Sequence, residues 1–202
     1  NNIKYLDPTL ILWRSTSQWI GGLYFLIFLI IFFSNPKGDY KFTNLIFNPD
    51  QSSNLSLYLT KTSTKILFLY SVLTMFIFII LSLSGIRLFN GFNLSLSLIS
   101  NGGFIPTTSL DQIIKSNAQK IVFIISLIAS SLNIYFFYNL FQKENIKKHY
   151  EDYSILIVGF IISTILILSL NNLYFLDIII NTVSSLTTSG LTVVDMPHNF
   201  SF

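Results

Sequence analysis

Residues 66–86 form a run of 21 amino acids without a single charge. Wound into a helix they would advance about 31 Å, close to the hydrocarbon thickness of a bilayer. Three further stretches are of the same kind. Residues 121–141 are also uncharged but hold Asn133 and Asn139, and 154–170 is a little short. Residues 20–33 are shorter still, so a span there must borrow from residues 13–18 and accept Arg14. Composition agrees: 51% of residues are hydrophobic, 10% are charged and the mean hydropathy is +0.63. A soluble domain carries about 25% charged residues, and a disordered chain needs low hydrophobicity. The expectation is an all-α, multi-pass membrane protein.

Other classes fall away on the same grounds. The net charge of +3 is small and scattered, so no nucleic-acid footprint is visible. There are no cysteines, and His149 and His198 read as solvated loop residues rather than ligands. No Ser/His/Asp set, phosphate loop or metal motif appears, so no catalytic role is expected and no cofactor is called for. The chain opens without Met and without a signal-peptide pattern, and reads as a piece of something longer.

Two apolar stretches, 88–99 and 173–186, are too short to cross; each would reach roughly 20 Å. Each follows a spanning helix closely. Each runs into a small, polar, glycine-containing segment, residues 100–104 and 187–191. Irregular backbone at membrane depth is tolerated only where protein buries it or where it lines a wet cavity. The two stretches therefore predict re-entrant half-helices.

The two units repeat. At an offset of 87 residues, Gly103 falls on Gly190, Phe104 on Leu191, Ser97 on Ser184, Leu96 on Val183 and Asn90 on Asp177, and the spanning helices begin within one residue of register. Helix, half-helix and loop recurring together indicate a duplicated membrane module. Asn90 and Asp177 stand near the half-helix starts, where such side chains cap free amides. The carbonyl-rich opposite ends, with about half a negative charge, would favour a cation at each loop.

The loops suit that cargo. A dehydrated alkali cation needs several oxygens, and backbone carbonyls supply them when successive residues turn inward. Thr187, Thr188, Ser189 and Gly190 fit this chemistry; Ser100, Asn101, Gly102 and Gly103 fit it less tightly, since Asn101 is bulkier. Neither loop has the carboxylate ring that suits divalent cations. The sequence thus predicts K+ (or Na+) as transported ion, bound at these eight residues only.

The segment Trp13-Arg14 through Gln18-Trp19-Ile20-Gly21-Gly22 and the two glycine loops are similar to motifs of the Trk/Ktr/HKT superfamily of potassium and sodium transporters. In that family a helix–pore-loop–helix unit occurs four times, with a filter glycine in each loop. Residues 100–104 resemble the second-repeat Ser-Thr-Gly-Gly-Phe pattern, with Asn101 in place of threonine. Residues 187–191 resemble the third-repeat Thr-Thr-Thr-Gly-Phe pattern, with Ser189 and Leu191 as departures. The resemblance implies filter glycines at Gly103 and Gly190. It also implies a homodimer, a cytosolic nucleotide-binding regulatory subunit, a bacterial inner-membrane location, and first and fourth filter segments beyond this chain.

The expected organisation is an outer helix in 1–34, a cytosolic linker in 35–64, a second repeat in 65–142, a linker in 143–153 and an incomplete third repeat in 154–202. Basic residues favour the linker side by seven to five, which puts the loops outside. Residues 34–64 should be irregular or partly helical. Trp13, Trp19 and Tyr24 suggest an interfacial belt, Gly21-Gly22 a close helix contact, and Arg87, Lys115 and Lys120 interface anchors. Two functions fit: the pore-forming part of a monovalent cation uptake system, or a non-conducting membrane scaffold that keeps the fold.

Overall fold

A computed structural model describes residues 7–33, 49–131, 157–159, 161–162, 165 and 175–192, and among them there is no strand. The first helix, α1, spans Pro8–Phe33, 26 residues. It begins where it does because Asp7 accepts from the Thr9 amide and Pro8 fills the first helical position, which needs no N–H donor. The borrowing of residues 13–18 by this helix is seen.

Helix α2 runs Pro49–Leu83, 35 residues, so the second half of the expected 35–64 linker is helical. Its segment Ser63–Leu83, with mean hydropathy 2.7, is long and apolar enough to cross a bilayer, alone among the described residues. A stripe at Ile66, Tyr70, Leu73, Ile77 and Leu81 is buried, while Phe68 (70% exposed), Met75 and Leu83 (83% exposed) face outward. A helix apolar on its outer face as well as its inner one suits lipid rather than water.

Two short helices follow the expected half-helices. Helix α3 is Leu88–Ile99 and α5 is Phe175–Leu186, 12 residues each. Between them α4, Asn117–Ser131, covers the described part of the third predicted span. It starts on a capping box: the Gln119 amide donates to Ser116 Oγ, and the Ser116 amide donates to Gln119 Oε1. Gln119 Nε2 also donates to the Ser84 carbonyl at 3.3 Å, which ties the start of α4 to the end of α2. Of the fourth predicted span, residues 157–159, 161–162 and 165 are described and are helical. Asn133, Asn139, His149, His198 and the 143–153 linker lie outside the described residues.

Helix α3 packs against α1 and α2, and α5 packs against α4. Every residue from Asn93 to Ile99 is buried, so the second half of α3 is enclosed on all sides. The core joins Tyr70, Ile77 and Leu81 of α2 to Leu94 and Leu98 of α3, Phe123 and Leu127 of α4, and Ile180 and Leu191 of the second unit. Leu191 thus belongs to the same core as the first half-helix, and the two units are one packed body around these residues.

Three sequence expectations change here. Trp19 packs inward as well: its indole N–H donates to Thr74 Oγ1 at 2.9 Å and its ring lies 5.2 Å from that of Tyr70, whose hydroxyl donates to the Trp19 carbonyl. A half-buried indole gains from such a partner, and α2 supplies one. Asn90 is not the N-cap of α3; Arg87 holds that place, with no side-chain cap bond. Lys120 does not simply reach for the interface. It forms an ion pair with Asp177, whose side chain is 3% exposed.

Candidate functional site

The loop after α3 begins as a helix terminator. The Asn101 amide donates to Leu98 O at 3.0 Å and the Gly102 amide to Ser97 O at 2.9 Å. This is the paired bonding of a Schellman motif, and it demands a left-handed residue between the bonds. Asn101 takes that conformation, with φ +50°. The loop after α5 repeats the motif 87 residues on: the Thr188 amide donates to Ser185 O, the Ser189 amide to Ser184 O, and Thr188 has φ +56°. Two residues later both loops turn left-handed again, at Gly103 (φ +65°) and Gly190 (φ +66°). Only glycine takes that conformation without steric cost.

In each loop two positive-φ residues are thus separated by one residue outside that region, and the two backbones turn alike.

The two loops meet. A Cβ built on Gly103 would lie 2.2 Å from the Ser189 carbonyl oxygen, so only a bare Cα fits at that spot. Gly102 faces the other way: its Cβ would lie 2.6 Å from Gln18 Oε1 of α1. At Gly190 a Cβ meets nothing within 4 Å among the described residues.

Side-chain hydroxyls serve the scaffold. Ser100 Oγ donates to Leu96 O (2.9 Å) and Ser97 O (3.1 Å), carbonyls at the end of α3. Ser97 Oγ accepts from the buried Phe104 amide at 2.7 Å, bracing the loop against its own helix. In the second unit Ser189 Oγ lies 3.0 Å from Ser184 Oγ, and Thr187 Oγ1 donates to both Ser189 Oγ and Ser184 O. The backbone carbonyls, more than these hydroxyls, are what the loops have to offer a cation.

Helix α1 also reaches the site. The Arg14 guanidinium sits 4.5 Å from the centroid of the Phe104 ring, Gln18 Nε2 donates to the Gly102 carbonyl at 3.0 Å, and a Cβ on Gly22 would come within 2.9 Å of Ser100 Cβ. The close contact expected of Gly21-Gly22 thus belongs to Gly22; Gly21 has nothing within 4 Å among the described residues. Sequence reasoning gave Gln18 no role. The signal that could have found it is its spacing, four residues from both Arg14 and Gly22 and hence on one helix face. At the opposite end of α5, Asp177 lies in the first turn, where a negative charge opposes the helix dipole, and Lys120 of α4 neutralises it. Among the described residues no cluster of His, Cys, Asp and Glu could hold a metal.

No protein-family model matches the chain. It is 23% identical over 197 residues to an uncharacterized cation transporter of Methanocaldococcus jannaschii, a match covering 96% of this chain and 40% of the relative. It also superimposes on the crystal structure of the potassium transporter TrkH from Vibrio parahaemolyticus with a TM-score of 0.74 and 20% identity, covering 95% of this chain and 41% of that one. The chain spans about two fifths of the length of both proteins. Over nearly all of its own length, then, it shares the helical fold of a solved membrane transporter.

Proposed function

We propose that the chain is part of the pore of a membrane transporter that takes up monovalent cations, potassium foremost, through the backbone oxygens of its two glycine loops. The observation that carries this reading is the meeting of two matched loops. Segments 87 residues apart adopt the same backbone turns, and the Ser189 carbonyl of one lies against the bare Cα of Gly103 in the other. Two matched turns meeting at a glycine would bring backbone carbonyls of both units to one place, as a cation site built of backbone oxygens requires. The outward-facing Phe68, Met75 and Leu83 favour a lipid setting, and the two similar proteins, a cation transporter and a potassium transporter, favour the same cargo.

In this reading the half-helices α3 and α5 are re-entrant, with their negative ends toward the ion. Ser100, Asn101, Gly103, Thr187, Thr188, Ser189 and Gly190 present carbonyls to it, and Gly102 sits behind them. The homodimer, the nucleotide-binding regulatory subunit and the inner-membrane location belong to the same proposal, through the resemblance to the Trk/Ktr/HKT superfamily.

The test is rubidium uptake by potassium-transport-deficient cells carrying the full-length gene. The unmodified protein should restore uptake, and Gly190→Asp, which puts a carboxylate side chain on a left-handed filter residue, should abolish it. Equal uptake by the two would overturn the filter role of the loops, and no uptake by the unmodified protein would leave the scaffold reading in its place.

A further inference from the structure

The second-repeat loop is held from outside itself, by α1. Arg14, Gln18 and Gly22 are four residues apart on one face of that helix, and they meet Phe104, Gly102 and Ser100 in reverse order, every second loop residue. The helix face and the loop thus keep step over three contacts. The middle contact is the polar one. Gln18 Nε2 donates to the Gly102 carbonyl, and the reverse orientation of the amide would set two oxygens against each other. Gln18 Oε1 is buried with no hydrogen-bond partner. That orphaned acceptor is a cost which offsets part of what the hydrogen bond to Gly102 contributes. What Gln18 supplies is a donor aimed at one peptide of the loop.

We propose that Gln18 is a positioning residue for ion selection: it pins the Gly102 carbonyl on the side away from Ser189 and so sets the tilt of the Asn101 and Gly103 carbonyls that face the ion. This rests on the pore reading above. The Gly102 oxygen is then a scaffold acceptor and not a ligand. The small size of Gly102 has its reason in the same contact, because a methyl group there would displace the Gln18 amide. Gly102 is outside the left-handed region, so alanine is compatible with its backbone.

The experiment is a double-mutant cycle in the full-length protein with Gln18→Ala and Gly102→Ala, read as thermal melting in detergent and as the ratio of rubidium to sodium uptake. Each single variant should lower the melting temperature by about 2–4 °C and the ratio roughly tenfold, the scale of one lost hydrogen bond. The double variant should be no worse than either single one, because both remove the same contact. Gln18→Met keeps the length with no donor and should give the same fall in the ratio as Gln18→Ala. Additive melting shifts, or a ratio unchanged in Gln18→Met, would overturn the role of Gln18. Absence of any uptake by the unmodified protein would overturn the pore reading instead, and the two failures are told apart by that control.

Discussion

Asn101 and Thr188 hold the same place in the two loops, with φ +50° and +56°, yet the surroundings that keep them there differ. The loop after α3 is braced by its neighbours: Gln18 of α1 holds Gly102, and Ser97 of α3 holds the Phe104 amide. The loop after α5 is braced by its own hydroxyls, Ser184, Thr187 and Ser189. The helices leading in differ as well. Helix α3 starts on Arg87 with no side-chain cap, while α5 starts beside an ion pair supplied by α4 of the other unit. One backbone conformation is thus reached by two sets of contacts. The geometry of the carbonyls is the shared element, and side chains are free to differ as long as they deliver it.

The helix starts give the largest contrast. Removing Lys120 leaves the Asp177 carboxylate buried and unpaired, so Lys120→Met should destabilise by about 3–5 kcal/mol in denaturant unfolding in detergent. Adding Asp177→Asn should recover most of that loss. Arg87→Ala, at an exposed position with no cap bond to lose, should stay within about 0.5 kcal/mol. A Lys120 variant as mild as the Arg87 one would erase the difference between the two starts.

The loop glycines come next. Gly103→Ala adds left-handed strain and a methyl group that would lie 2.2 Å from the Ser189 carbonyl, a backbone atom with little room to move. A loss of about 2–3 kcal/mol and a sharp fall in rubidium uptake are expected. Gly190→Ala carries the strain alone, about 1 kcal/mol, since nothing described lies within 4 Å. If both variants behave alike in unfolding, the loops do not press on each other at Gly103.

The equivalent serines should separate too. Ser97→Ala strands the buried Phe104 amide and should cost about 1–2 kcal/mol. Ser184→Ala removes one hydroxyl from a group in which Ser189 Oγ still reaches Thr187 Oγ1 and the Ser184 carbonyl, so about 0.5 kcal/mol is expected from the same unfolding measurement.

What was legible in the sequence followed from local physics. Residues 88–99 read as a half-helix because Arg87 bounds an apolar run on one side and Ser-Asn-Gly-Gly on the other, and the observed helix has those bounds. Gly103 and Gly190 stood out because glycine in a repeated loop has few other uses. For residues 34–64 only a partly helical stretch was legible, not the extent of α2 back to Pro49, since Ser, Thr and Asn are weak helix formers; an apolar helix that has already nucleated carries such residues along. Proline at the first helical position was the available clue. The contacts of Gln18 with Gly102 and of Lys120 with Asp177 join residues far apart in the chain. No periodicity encodes them, so they emerge only once the helices are packed.

The exchange of residues at the two helix terminators bears most directly on the comparison. A β-branched residue is strained in the left-handed region, whereas asparagine visits it readily. The second loop, with Asn101, is therefore relaxed at its helix terminus, and the third, with Thr188, is not. Thr188→Asn should stabilise by about 1 kcal/mol and Asn101→Thr should destabilise by a similar amount, measured as opposite shifts of a few degrees in melting temperature. The hydroxyl of Thr188 takes no part in the Ser184–Thr187–Ser189 group, so the swap leaves that bracing in place. Equal and opposite shifts would locate the strain in the backbone. A loss of stability in Thr188→Asn would mean that threonine is held there by its surroundings, and the two loops would then differ in conformation as well as in support.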